Sequence, residues 1–276
     1  MRNTLCLAAL TLMAFPFHVK AQNTSLQELW RSTDLITCES VLFDGKGQRL
    51  FVSNIEGNPT EKDGKGSIDV LNLDGSVQTK AWVVGLDAPK GSALLADRLY
   101  VTNIDELVEI DLESGKILER YPVEGAQFLN DVTADPLTGL VYFSDMATGK
   151  LYAFQDRVIS VQLENREGIN GVHMGPGGWV YFLDKQGVHM TYKGSVKTLN
   201  TDITGGDGLV VIGNNEFIVS RWQGELWYVK ANYSAPLMNT TEQKIQSADI
   251  GYNPATRTLY VPTFFSNSVV AYQLLF

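Results

Sequence analysis

The chain reads as an all-β, six-bladed β-propeller of four-stranded antiparallel blades. Two observations predict this. First, one hairpin plan recurs six times: a polar opening residue, a short apolar strand, a turn, then a second strand carrying an aromatic anchor. The anchors are Phe51, Tyr100, Tyr142, Tyr181, Phe217 and Tyr260, separated by 49, 42, 39, 36 and 43 residues. A period near 40 residues with turn-separated strands is the mark of a propeller blade, which buries its faces only against neighbouring blades. Second, the apolar runs are short, β-branched and aromatic, and lie between Gly, Asn, Asp and Pro. An α-solenoid of similar period would need apolar spacing of three and four instead.

The clearest copy runs from Ala126 to Asp145, with Asn130-Asp131 at its opening and Pro136-Leu-Thr-Gly139 at its turn. Others open at Glu39, Lys90, Asn170, Asp207 and Ala248. Blade one spans about 38–83 and carries a polar loop, 54–66, of the kind that overhangs a channel mouth or stands in solvent. Blade two runs to about 125, with Glu106–Leu112 alternating as a half-buried strand should. Blades three to six take about 126–168, 169–205, 206–246 and 247–276. The apolar-polar stretch Leu26–Arg31 precedes the first hairpin and is expected to complete the last blade by pairing with Val269–Leu275.

Residues 1–21 are laid out as a secretory signal peptide. Arg2 supplies the positive start, Leu5 to Phe17 the apolar core, and Ala21 a small-residue exit. The apolar run is too short for a spanning helix. The expected division is therefore a leader at 1–21 and one propeller domain at 22–276, exported to a periplasm or the extracellular space. Without the leader the chain keeps 20 basic against 31 acidic side chains, a formal charge of −11. That balance argues against nucleic acid or an anionic membrane as partner and suits a protein that binds cations. Cys38 is the one cysteine beyond the leader, so no intrachain disulfide is expected, and its place at an inner strand marks it as structural. The protein is expected to be monomeric.

Inner strands of a propeller run beside the central channel, so their first residues form a ring at one mouth. The ring is Glu39, Lys90, Asn130, Asn170, Asp207 and Ala248. Four of these six end in an oxygen able to bind a hard cation. Two carboxylates and two amides suit Ca²⁺ better than the thiolates and imidazoles of a zinc site. Taken singly, each Asn or Asp is also an ordinary turn residue capping local backbone; four at one phase of the repeat point to a shared site.

With Phe128-Leu-Asn130-Asp131, Ile169-Asn170-Gly171, Gly206-Asp207-Gly208-Leu209 and Leu259-Tyr260-Val261 in view, the chain resembles the senescence marker protein, gluconolactonase and regucalcin family, with paraoxonases as distant relatives. The resemblance covers nearly the whole chain beyond the leader. It implies a divalent metal at the channel mouth, Ca²⁺ first with Zn²⁺ or Mn²⁺ as alternatives, held by Glu39, Asn170 and Asp207. It further implies Asn130 as a residue that helps bind substrate or metal, substrate first, and Asp207 as the group handling the attacking water, in the hydrolysis of a lactone or related small-molecule ester. Two positions depart from the family. Glu39 is followed by Ser40-Val-Leu-Phe43 in place of Gly-Pro and an aromatic strand, and Lys90 fills the second-blade slot, where it is expected to meet an anionic substrate or a carboxylate. A serine hydrolase is disfavoured, since the chain has no Gly-x-Ser-x-Gly elbow. The alternative from another class is a non-enzymatic propeller that binds a ligand or protein.

Overall fold

The computed structural model describes residues 24–276, so the proposed leader at 1–21 lies outside the described residues. Among the described residues no helix is long and apolar enough to cross a membrane.

Twenty-four strands form six four-stranded antiparallel sheets arranged as propeller blades. Blade one is β2 (Cys38–Asp44), β3 (Arg49–Asn54), β4 (Gly66–Asn72) and β5 (Val77–Leu86). Blade two is β6 (Pro89–Leu95), β7 (Arg98–Asn103), β8 (Glu106–Asp111) and β9 (Ile117–Pro122). Blade three is β10 (Leu129–Asp135), β11 (Leu140–Asp145), β12 (Lys150–Gln155) and β13 (Val158–Leu163). Blade four is β14 (Val172–Met174), β15 (Val180–Asp184), β16 (Gly187–Tyr192) and β17 (Ser195–Asn200). Blade five is β18 (Leu209–Gly213), β19 (Glu216–Arg221), β20 (Glu225–Lys230) and β21 (Tyr233–Asn239). Blade six is β22 (Gly251–Asn253), β23 (Thr258–Pro262) and β24 (Val269–Leu275), completed by β1 (Ser25–Ser32) from the other end of the chain.

The closing pair runs antiparallel from Ser25 opposite Leu275 to Ser32 opposite Val269, as the apolar-polar pattern of residues 26–31 predicts. Trp30 fastens the seam. Its Nε1 donates to the Leu73 carbonyl of blade one at 2.8 Å, and its ring packs on Tyr260 of blade six at 5.9 Å. Beneath it Cys38 is buried, with Sγ 3.1 Å from the Ser268 carbonyl; burial pushes its thiol up to about 11, which keeps it protonated and inert.

The core is a ring of inter-blade layers. Phe51 and Val70 of blade one meet Leu99 and Val108 of blade two. Tyr100 meets Phe143 and Phe154 across the next gap, and Tyr181 meets Phe217 across the fourth. The aromatic anchors of the repeat are therefore the wedges between blades, five of them buried and Tyr142 half-buried.

In blades two and three the polar residue that ends the second strand braces the entry to its own blade. Asn103 Oδ1 accepts from the N–H groups of Asp87 and Ala88 at 2.9 and 3.0 Å. The Asp145 carboxylate accepts from Gln127 and Phe128 at 3.0 and 3.2 Å. These are structural bonds that hold the first inner-strand residues in place.

Candidate functional site

A local device aims the ring residues at the channel. Each of the five polar ring residues sits at a β-bulge. Cys38 pairs with Asn54 and Ser40 with Ser53, which leaves Glu39 as an extra residue. Lys90-Gly91 and Asn130-Asp131 are doubled in the same way against Thr102 and Ser144. Leu183 accepts from Asn170 N–H at 3.0 Å and donates to Gly171 O at 2.9 Å. Ser220 treats Asp207 and Gly208 alike, at 2.8 and 3.0 Å. A bulge breaks the two-residue alternation and re-aims a side chain, and bulges concentrate beside functional sites. Asn170 and Asp207 consequently precede β14 and β18 rather than opening them.

The bulges also let the inner strands close on one another. A Cβ at Gly171 would lie 2.4 Å from the Asp207 carbonyl, and one at Gly208 would lie 2.5 Å from the Ile250 nitrogen. The channel thus narrows to a waist, where Ser40, Asp131 and Asp249 project. Asp249 Oδ2 accepts from the Ser40 hydroxyl at 2.7 Å, and Asp131 Oδ2 accepts from Val172 N–H at 2.6 Å.

Above the waist lies a cavity of about 520 Å³. Its floor holds Glu39, Lys90, Asn130, Asn170 and Asp207, so the structure brings together all five residues singled out from the sequence. Ala248, the sixth ring position, is buried and supplies no polar atom. Asn170 Nδ2 donates to Asp207 Oδ1 at 2.7 Å. That fixes the amide so that Asn170 Oδ1 is left without a partner. Glu39 Oε2 and Asn130 Oδ1 are likewise buried without a hydrogen bond. Three blades therefore each present one unpartnered oxygen to the same floor, beside the Asp207 carboxylate of a fourth.

Electrostatics follow burial. Desolvation raises the Glu39 carboxyl well above the usual carboxylate range, helped by the charges of Asp207, Asp249 and Asp131 and opposed by Lys90. Burial pushes Asp207 up to about 7, against the lowering effect of the Asn170 hydrogen bond. Burial brings Lys90 down to about 8, with Glu39 opposing. Lys90 Nζ donates to the carbonyls of Pro59 and Ala88 at 3.2 and 3.1 Å and stands 4.3 Å from the centre of the Phe128 ring. Pro59 belongs to the 54–66 loop, which contributes it and Ile55 to the cavity wall. Among the described residues no three His, Cys, Asp or Glu side chains are grouped to hold a metal; the oxygen set here mixes two carboxylates with two amides.

The rest of the wall was not foreseen from the sequence. Met146, Trp222, Phe264 and Phe265 line it, and all come from the turns that follow the second strand of a blade. The signal was present: aromatic residues in Arg221-Trp-Gln-Gly224 and Thr263-Phe-Phe-Ser-Asn267 occupy turn positions where small polar residues are usual.

The two histidines of the described region lie elsewhere. His173 lines the opposite mouth, and burial lowers it to about 4, so it is neutral. His189 is enclosed in blade four, with Nε2 2.8 Å from Asp184 Oδ1 and Nδ1 3.1 Å from Thr198 Oγ1. Its ring stacks on Phe182, and neither mouth's cavity reaches it.

Neither a family model nor a curated protein matches the chain. Solved structures do. A protein described as a "putative gluconolactonase" superposes with a TM-score of 0.67 at 15% identity, covering 91% of this chain and 92% of that one. The virginiamycin B lyase of Staphylococcus aureus, crystallised with quinupristin, gives 0.63 at 13% identity over 92% of this chain and 100% of that one. A chain of the nidogen/laminin complex gives 0.65 at 15% identity over 75% and 86%. The likeness is one of fold. Propellers of this shape serve a lyase and a protein assembly as readily as a gluconolactonase candidate, so function has to be argued from the site.

Proposed function

We propose that the protein is a metal-dependent hydrolase of a lactone or related ester, acting at the floor of the upper cavity. One observation carries the reading: Glu39 Oε2, Asn130 Oδ1 and Asn170 Oδ1 converge there, buried and unpartnered, beside Asp207. Buried acceptors without donors are costly, and native proteins seldom leave three in one place. A hard divalent cation of the calcium type takes oxygen ligands from carboxylates and amides, so the donor set fits it. Glu39, Asn170 and Asp207 would hold the ion, with Asn130 beside them. Bound there, it would polarise the substrate carbonyl and stabilise the oxyanion that follows.

The chain's own groups supply the rest. Asp207, steadied by the Asn170 amide, would orient a water molecule and take its proton as the water oxygen bonds to the carbonyl carbon. The ring C–O bond then breaks, and the proton passes to the departing alkoxide, leaving a hydroxy acid. With a cation at this floor Asp207 stays ionised, so that it stands ready to accept the proton from the water and return it. Asn130 would orient the substrate. Lys90 enters as counter-charge to Glu39 and as anchor of Pro59, since its N–H groups face two carbonyls and an aromatic ring. We read the protein as an exported monomer.

The test is direct. Purified protein supplied with Ca²⁺ should open a panel of lactones, a chelator should stop it, and Asn170→Ala should lose cation binding and turnover together. Turnover that survives complete removal of divalent metal would refute the scheme. The second reading, a non-enzymatic propeller, draws on the nidogen/laminin neighbour, which is as similar as the enzymes. It predicts cation binding without hydrolysis of any member of the panel.

A further inference from the structure

Three aromatic rings form one wall of the upper cavity. Trp222 comes from the turn between β19 and β20, and Phe264 and Phe265 come from the turn between β23 and β24. They meet edge to face: Trp222 and Phe264 at 5.7 Å and 77°, Phe264 and Phe265 at 4.7 Å and 87°, Trp222 and Phe265 at 6.2 Å and 84°. Phe264 is buried at the base, packed with Ile55, Ala88, Ile104 and Ala248. Phe265 is 58% exposed and Trp222 39% exposed. The buried ring holds the exposed pair in place above the floor.

The turn that carries Phe264 keeps the left-handed backbone of its blade-two counterpart, with Phe264 at φ 47° and Ile104 at φ 59°; what sets it apart is the pair of aromatic rings it presents to the cavity. Exposed apolar groups gathered on a concave surface mark a place where something apolar docks.

The wall is also poor in hydrogen-bond donors. Lys185 is occupied by Glu167 at 2.5 Å. Lys90 is held by Pro59, Ala88 and Phe128, and the Asn170 amide is held by Asp207. Gln223 and the Trp222 indole N–H are the other hydrogen-bonding groups among the side chains lining the cavity above the floor. A polyhydroxylated ring placed against this wall would meet few partners there, and its hydroxyls would compete with the cation for the floor oxygens, which disfavours it.

We infer that the cavity selects an ester or lactone bearing an extended or flat apolar substituent, seated against Trp222, Phe264 and Phe265, over a sugar lactone. The inference takes the hydrolase reading as its starting point but concerns the apolar end of the substrate, not the reacting end.

The probes are γ-butyrolactones carrying linear chains from methyl to heptyl, with D-gluconolactone as the polyhydroxylated comparator. In Ca²⁺-supplied wild-type protein, kcat/KM should rise about two- to fourfold per added methylene until the rings are covered, the gain expected for moving a methylene out of water. Trp222→Ala and Phe265→Ala should flatten that dependence, and Trp222→Phe should restore it; a purely structural role would lower every rate and leave the slope. Binding is read separately in Asp207→Asn, from quenching of the Trp222 fluorescence component, identified by its loss in Trp222→Phe. Turnover that favours D-gluconolactone over the heptyl lactone would overturn the inference while keeping the hydrolase. Binding that strengthens with chain length without turnover of any probe would keep the inference and discard the hydrolase. Binding that ignores chain length would discard the inference whatever the turnover.

Discussion

The two mouths of the channel are built from the same six strands and differ in what they leave unsatisfied. The upper cavity has a floor of buried acceptors without donors. The lower cavity, about 600 Å³ and walled by residues such as Leu42, Leu94, Met174, Val211 and Tyr252, has none. There Thr133 Oγ1 accepts from Met174 N–H at 2.9 Å, and the waist carboxylates are bonded to neighbouring strands. Equivalent positions on one repeat thus serve stability at one end and, on our reading, chemistry at the other. Unmet hydrogen-bonding capacity distinguishes the two ends, since both are similarly large.

That contrast can be broken most sharply by paired substitutions. Asp207→Asn at the upper mouth should lower kcat/KM for lactone opening by about 100-fold or more, the scale of losing a group that acts in the transition state. His173→Gln at the lower mouth should change it by no more than about threefold, because a neutral histidine below the waist touches no reacting atom. Comparable losses from both would erase the distinction between the two mouths.

Cation linkage comes next in size. Ca²⁺ at about 100 times its dissociation constant should stabilise the fold by about 2.7 kcal/mol, raising Tm by roughly 5–10 °C. Glu39→Gln should remove most of that gain, whereas Thr133→Val should keep it. Scanning calorimetry with and without chelator measures both.

The waist gives a pH test in chelated protein. Burial pushes Asp249 up to about 7 from an ordinary value of 3.8. A carboxyl raised in the folded state binds its proton more tightly there than in the unfolded chain. Its contribution is complete below pH 3.8 and is lost as pH rises toward 7. Asp249→Asn, which cannot ionise, should therefore flatten the fall of Tm across that window and melt a few degrees above wild type near pH 8. An unchanged slope would show that the carboxyl is not held protonated.

The smallest effect belongs to the lower mouth. Thr133→Val leaves Met174 N–H without its acceptor and should cost about 1 kcal/mol, or roughly 2–4 °C in Tm. Lactone-opening kinetics should not move. A change in rate would mean that the waist transmits strain between the mouths.

Much of this was legible before any coordinates. Aromatic anchors near every fortieth residue disclosed six blades, because a wedge between blades must be large and apolar wherever it recurs. The pairing of Leu26–Arg31 with the final strand was readable as well, since its alternation had no nearer partner to satisfy it. Glu39, Lys90, Asn130, Asn170 and Asp207 were found by phase in the repeat, and they do share one cavity floor.

What the order of residues determined by itself was the repeat, its closure and the identity of the groups at each blade entry, all consequences of local spacing. Only the tertiary structure decided that bulges turn those groups inward, that the channel narrows to a waist between the two mouths, and that Trp222, Phe264 and Phe265 complete the wall. Those outcomes depend on contacts between blades remote along the chain, and on which buried atoms find partners once the ring has closed.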